Sequence, residues 1–279
     1  MKVAVLSGKG GTGKTLVAVN LAAVAEKSVY LDCDVEAPNG HLFFRPEKSV
    51  VNDVTVKIPY VDDLKCTGCR KCVDFCNFNA LAHIHNRLMV FEDICHSCGG
   101  CLLVCPEQAL LEKDKVIGRI QSGMSENVEM KSGSLNIGES TGVPIIKSLL
   151  ELAGNRSELT IIDGPPGSAC TVMETIKNVD YCILVAEPTT FGVHNLEMVH
   201  ELVQIFGKNF GVVLNKCTND DNPSEAYCNN HQINILSRIP FDENLGRLNS
   251  NGEVAVRVSR EYKAVFGDLL KAIEVEVSK

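Results

Sequence analysis

No stretch of this chain approaches the roughly 18 consecutive apolar residues that a membrane-spanning helix needs, and its opening, MKVAVLSGKG, reaches glycines before any apolar run of signal-peptide length. The expectation is a cytoplasmic protein. Positive charge is also scarce: 27 Lys and Arg face 35 Asp and Glu, a net charge of −8. Nucleic-acid backbones are held largely by clustered cations, so a nucleic-acid partner is not expected. Near the carboxyl end, residues 261–275 place Tyr262, Val265, Phe266, Leu269, Leu270 and Ile273 on one helical face. The opposite face mixes Lys263 and Lys271 with Asp268 and Glu274 and lacks the basic bias of an interfacial helix. Core packing, and no stable membrane anchor, is the reading there.

What is present is enough for a sizeable core: 279 residues, 45% of them hydrophobic, suffice for one large domain or two smaller ones. The ends of the chain alternate short apolar runs with stretches of helical length. KVAVLS (2–7), SVYLD (28–32), LTIID (159–163), YCILVAE (181–187) and FGVVLN (210–215) read as buried strands, and 15–25 has helical spacing. This predicts an α/β fold with a mostly parallel sheet flanked by helices. VIGRIQSG (116–123) and NVEMKSGSLN (127–136) are expected to pair as a hairpin ahead of a helix near 143–152.

Thirteen cysteines in an intracellular chain of this size point to metal or redox chemistry and not to disulfides. Eight lie in two runs, CTGCRKCVDFCNFNAL (66–81) and CHSCGGCLLVCPEQAL (95–110), which match cysteine for cysteine at an offset of 29. This internal repeat interrupts the α/β pattern. The domains expected are therefore 1–56 with 115–279, and an insert at 57–114.

GKGGTGKT (8–15) satisfies G-x-x-x-x-G-K-[ST] between a strand and a helix, the setting that a phosphate-binding loop requires. Gly8, Gly10, Gly11 and Gly13 let the backbone N–H groups of the loop, with those of Lys9 and Thr12, turn inward on a β-phosphate. Lys14 then reaches the β- and γ-phosphates and the Thr15 hydroxyl binds Mg²⁺. ATP or ADP with Mg²⁺ is the expected ligand.

A second lysine inside the loop, Lys9, makes KGGTGKT (9–15) resemble the deviant P-loop of the MinD/ParA ATPases, a family that includes Mrp-like members. The resemblance implies ATP hydrolysis that depends on dimerisation, with Lys9 reaching the partner's nucleotide to stabilise transition-state charge, much as an arginine finger does. Within LDCDVEAPN (31–39), it implies that Asp34 orients the attacking water and Asp32 supports the Mg²⁺ shell. Within IIDGPPG (161–167), it implies that Asp163 holds Mg²⁺ through water and that Gly164 lies near the γ-phosphate. Asn215 stands at the family's adenine-recognising position and Pro240 where the base is flanked. Plain strand-end roles remain open for Asp32, Asp34, Asn215 and Pro240.

The cysteine runs each have the spacing C-x₂-C-x₂-C-x₃-C, and the second ends in Pro106, as in bacterial ferredoxins with two [4Fe–4S] clusters. The resemblance groups Cys66, Cys69, Cys72 and Cys105 around one cluster and Cys76, Cys95, Cys98 and Cys101 around the other. Zinc is the competing ligand for paired C-x₂-C. Asn77 replaces the proline expected after the first run, which bears on loop stiffness only. His83, His85 and His96 are expected to face solvent or hydrogen-bond sulfide. Among the other cysteines, Cys33, Cys182 and Cys217 read as small core residues and Cys228 as part of a polar loop. Cys170, seven residues after Asp163, is open to a packing or switch role or to a bridging metal.

The combination resembles a subgroup of MinD-like ATPases with an inserted two-cluster ferredoxin domain, as do AEPTTFGVHNLEMV (186–199) and LNIGESTGVP (135–144). It implies a homodimer, or a heterodimer with a related ATPase, that gates electron transfer to a redox or cofactor-assembly partner. Two alternatives are an iron–sulfur or metal-cofactor assembly factor and a MinD-like regulatory switch with redox-sensing clusters.

Overall fold

The computed structural model describes residues 1–154, 158–218 and 221–278. In chain order the strands are β1 (Lys2–Leu6), β2 (Ser28–Asp32), β3 (Ser49–Val61), β4 (Leu81–Ile84), β5 (Arg87–Val90), β6 (Leu110–Ser125), β7 (Val128–Leu135), β8 (Leu159–Asp163), β9 (Tyr181–Ala186), β10 (Phe210–Cys217) and β11 (Ile235–Pro240). The helices are α1 (Lys14–Val24), α2 (Gly40–Phe44), α3 (Lys71–Phe75), α4 (Gly100–Leu103), α5 (Val143–Ala153), α6 (Cys170–Ile176), α7 (Thr190–Ile205), α8 (Pro223–Asn230), α9 (Glu243–Ser250), α10 (Ala255–Val258) and α11 (Arg260–Val277).

Nine strands form one sheet in the order β11-β10-β9-β1-β8-β2-β7-β6-β3. From β11 to β7 the neighbours are parallel. Successive side chains of a strand point to opposite faces, and both faces are covered. Val3 and Val5 join an apolar layer with Val17 and Leu21 of α1 and Phe266 and Leu269 of α11. Ala4 and Leu6 join the other layer with Ile145 and Leu149 of α5 and Val199 and Val203 of α7. The expected mostly parallel α/β sheet is thus observed. The apolar stripe of α11 is spent on this core, and no helix among the described residues is long and apolar enough to cross a membrane. Phe266 is fully buried. Phe266→Ala is expected to lower the unfolding free energy by about 3–5 kcal/mol, measured by urea titration; a loss below about 1 kcal/mol would mean that α11 is not part of this core.

The expected hairpin forms, with β6 antiparallel to β7 from Gly118 opposite Leu135 to Ser125 opposite Val128. Beyond it the sheet does something the apolar pattern does not announce. β3 and β6 make an antiparallel ribbon, from Ser49 opposite Gly123 to Val61 opposite Leu110, and Lys57 stands directly across from Asp114. Residues 57 and 114, the expected limits of the insert, are therefore register partners partway along one continuous ribbon. At its far end sits a lobe made of the β4–β5 hairpin, α3 and α4. Its small apolar core contains Leu81, Leu88 and Leu110 together with Cys72 and Cys101.

Candidate nucleotide site and cysteine lobe

The phosphate loop leaves β1 at its carboxyl end and enters α1 at Lys14. Two of its glycines are required by close contact. Gly13 has φ +96°, and a Cβ there would lie 2.0 Å from the Asn215 Nδ2; a Cβ on Gly8 would lie 2.2 Å from the backbone oxygen of Asn195 in α7. A cavity of about 440 Å³ opens over the loop, lined by Lys9, Gly10, Gly11, Gly13, Lys14, Thr15, Asp34, Asn215 and Pro240 among others. Gly8 and Thr12 form the back of the loop, outside that lining. Asn215 has a use that its position in the sequence does not reveal, because its Nδ2 donates to the Thr12 carbonyl at 2.8 Å and so braces the loop from β10.

Under the loop lies a buried charge cluster. Lys14 Nζ donates to Asp163 Oδ1 at 2.5 Å, and the Tyr30 hydroxyl donates to Asp163 Oδ2 at 2.9 Å. Burial works to lower the Lys14 pKa, but Asp163, with Asp34 and Asp32 further off, more than offsets it and holds the ammonium charged. Asp32 is fully buried. It accepts from the backbone N–H groups of Asp34, Asn39 and Gly40 and from the Ser132 hydroxyl. Asp32 thereby ties 34–40 to the end of β2, and burial with the nearby Asp163 pushes its pKa up to about 7. Asp34 faces the cavity, whereas Asp32 and Asp163 stand behind it.

The sequence reading missed three further parts of the cavity. Asn39 and Asn249 line it, and each holds a buried Oδ1 with no hydrogen-bond partner among the described residues. Phe241 and Leu245 add an apolar wall next to Pro240. Polar acceptors beside an apolar wall suit a nucleoside. An N-capping signal was legible for the helix that carries Asn249: Asp242 accepts from the Asn244 and Leu245 N–H groups.

In the lobe the eight cysteines fall into two sets of four. Cys76, Cys95, Cys98 and Cys101 line one cavity, of about 140 Å³. Cys66, Cys69, Cys72 and Cys105 line a second and tighter one, of about 20 Å³. Among the described residues, no three His, Cys, Asp or Glu side chains are spaced to hold a single metal ion. His83 also lines the tighter cavity, and its buried Nε2 has no partner among the described residues. The Ala109 N–H donates to Cys105 Sγ at 3.3 Å. His96 stacks on Phe78, with ring centroids 3.9 Å apart, at the wider cavity.

Of the remaining cysteines, Cys33 and Cys182 are fully buried, as expected. Cys228 differs from the polar-loop expectation, being fully buried on α8. Asn222 caps that helix and Pro223 opens it, signals that the polar run NDDNPSE obscures. Cys170 is exposed at the start of α6.

A parallel sheet with a glycine-rich loop between its β1 strand and the following helix, a buried lysine–aspartate pair beneath it and a cavity at the strand ends defines a P-loop nucleotide-binding protein. More narrowly, the chain belongs to the CobQ/CobB/MinD/ParA nucleotide-binding domain family, whose profile matches residues 3–256. An uncharacterized protein of Methanocaldococcus jannaschii is 32% identical over 255 residues, which cover 90% of this chain and 88% of that one. The cell division ATPase MinD of Pyrococcus furiosus shares the fold with a TM-score of 0.61, at 19% identity and with 98% of each chain covered. An iron–sulfur cluster carrier protein of Pyrococcus abyssi is 60% identical over 42 residues, 14% of each chain.

Proposed function

We propose that this protein is a dimer-forming, Mg²⁺-dependent ATPase whose nucleotide state controls electron transfer through two [4Fe–4S] clusters to a partner protein. The observation that carries this reading is the division of the eight cysteines into two sets of four around separate cavities, on a lobe continuous with the nucleotide-binding sheet. Four thiols per cavity make a complete donor set for a cubane cluster. Bound, such clusters would supply one-electron transfer.

The remaining roles belong to the chain's own groups. The loop from Gly8 to Thr15 would hold the phosphates, Lys14 would neutralise charge on them, and Thr15, with Asp163 and Asp32 behind it, would place Mg²⁺. Asp34, the carboxylate that faces the cavity, would orient the attacking water. Lys9 would act on the nucleotide of a second copy. The Ala109 N–H bonded to Cys105 is the kind of donor that biases a cluster's potential, and the His83 Nε2, without a partner among the described residues, stands beside the same cavity.

The decisive experiment is an anaerobic redox titration followed by electron paramagnetic resonance, on nucleotide-free protein, with MgADP and with a non-hydrolysable ATP analogue. The expected result is a midpoint potential or spin coupling that changes with nucleotide. Superimposable titrations in all three states would reject nucleotide control of the clusters. The short likeness to a cluster carrier favours one second reading, delivery of clusters to a client. Iron transfer to an apo-ferredoxin at a rate that depends on ATP would establish that reading instead.

A further inference from the structure

The phosphate-loop lysine that sets this chain apart, Lys9, is not free in the single chain. Its ammonium pairs with Glu187 and lies 4.7 Å from the centroid of the Phe191 ring. Both partners come from the segment AEPTTFGV (186–193), which follows β9 and opens α7.

The backbone of that segment is fixed from several sides. The Glu187 carbonyl accepts from the Thr189 N–H and from the Ser224 hydroxyl, each at 2.8 Å. Thr189 caps α7 by accepting from the Gly192 N–H. Gly192 leaves no slack, since a Cβ there would lie 2.2 Å from the Glu187 oxygen. The Glu187 side chain is therefore held against the phosphate loop. Its second oxygen pairs with Lys216 Nζ at 3.3 Å, and Lys216 also donates to the Gly11 carbonyl at 2.8 Å. Burial tends to raise the pKa of Glu187, but hydrogen bonds from the two lysines hold it below the usual carboxylate value.

We propose that Glu187 and Phe191 form a resting site for Lys9, and that release of Lys9 from this site sets how readily two copies of this chain pair face to face over ATP. The proposal rests on the reading that Lys9 acts on the partner's nucleotide. Stranding a buried carboxylate is costly, but here Lys216 stays on Glu187 when Lys9 leaves. Departure then forfeits one ion pair and one cation–π contact, each modest at a partly exposed site. The site is strong enough to hold Lys9 in the lone chain and weak enough to yield it to a triphosphate. Only chains with Lys9 released are competent to pair, so apparent affinity falls by the fraction released. A pair needs two releases, and the effect enters twice.

The test uses Glu187→Gln, which keeps shape and a hydrogen bond to Lys216 but removes the charge, with Glu187→Asp as a second variant that retains charge and shortens reach. First, nucleotide-free protein is treated with an amine-acylating reagent and each lysine is read by mass spectrometry. Lys9 is expected to react several-fold faster in both variants, with Lys27 unchanged as reference. Second, sedimentation with Mg²⁺ and a non-hydrolysable ATP analogue gives the dimer dissociation constant. A gain of about 3-fold per chain predicts about 10-fold tighter pairing for Glu187→Gln. That gain is expected to vanish in a Lys9→Met background, which a merely structural role of Glu187 does not predict. Unchanged Lys9 acylation, or unchanged pairing in a wild type that does dimerise, overturns the proposal. A wild type that stays monomeric with the analogue refutes the pairing role together with the reading beneath it, and acylation alone then decides the resting contact.

Discussion

Lys14→Met is expected to remove nucleotide binding altogether and, separately, to lower the stability of the nucleotide-free protein by about 3–5 kcal/mol. The two losses have different causes. Binding fails because the ammonium that would meet the phosphates is gone. Stability falls because Asp163 is fully buried and would keep the Tyr30 hydroxyl as its remaining hydrogen-bond donor while losing its cation. Calorimetric titration with ADP reads the first loss and urea unfolding the second. Adding Asp163→Asn to Lys14→Met should recover most of the stability and none of the binding. A single variant that still binds ADP, or that unfolds with the wild type, removes Lys14 from the role given to it.

The second large effect concerns how the cysteines are shared. Cys72 and Cys76 lie on or next to α3, one short helix, yet they line different cavities. Under the proposed cluster assignment, Cys76→Ser should lose about half of the bound iron, with four thiolates per cluster. The pair Cys76→Ser with Cys95→Ser should lose no more, because both line the wider cavity. The pair Cys72→Ser with Cys76→Ser should lose nearly all. Iron and acid-labile sulfide assays on anaerobically purified protein measure this directly. If the last pair keeps half of its iron, neighbours in sequence share a cluster and the assignment across the repeat is wrong.

Five of the parallel strands were legible because two-sided burial demands apolar, branched runs such as Val3–Leu6 and Ile161–Ile162, whereas β7 and β11, parallel but polar in sequence, were not read as buried strands. The long ribbon was harder. β3 is one of the sheet's two edge strands, its residues Ser49–Asp53 are exposed, and Val50 and Val51 alternate with nothing. An edge strand facing water on both sides loses the pattern by which strands are recognised. At the site, Lys14 and Thr15 could be placed by motif because loop geometry is local. Asn39, Asn249 and Glu187 could not, since each reaches the phosphate loop or its cavity from a distant element and only tertiary packing brings it there. The dual use of Asn215, brace as well as lining residue, was hidden for the same reason.

The β3–β6 ribbon also has a mechanical meaning. β3 alone spans 13 residues, about 43 Å at 3.3 Å per residue, and its root is hydrogen-bonded through β6 and β7 to β2, the strand that ends at Asp32. Paired strands resist bending along their length, so the ribbon would act as a lever whose fulcrum is the sheet beside the nucleotide cavity. Only Thr55–Val61 project past the part of the ribbon that β7 backs, about 23 Å at 3.3 Å per residue, so a tilt of about 5° at that fulcrum would carry the far tip through roughly 2 Å. Small rearrangements around Asp32 and Asp34 would thus reach the cysteine lobe along the paired strands, past the register shift between Val54 and Thr55 where the ribbon leaves the sheet.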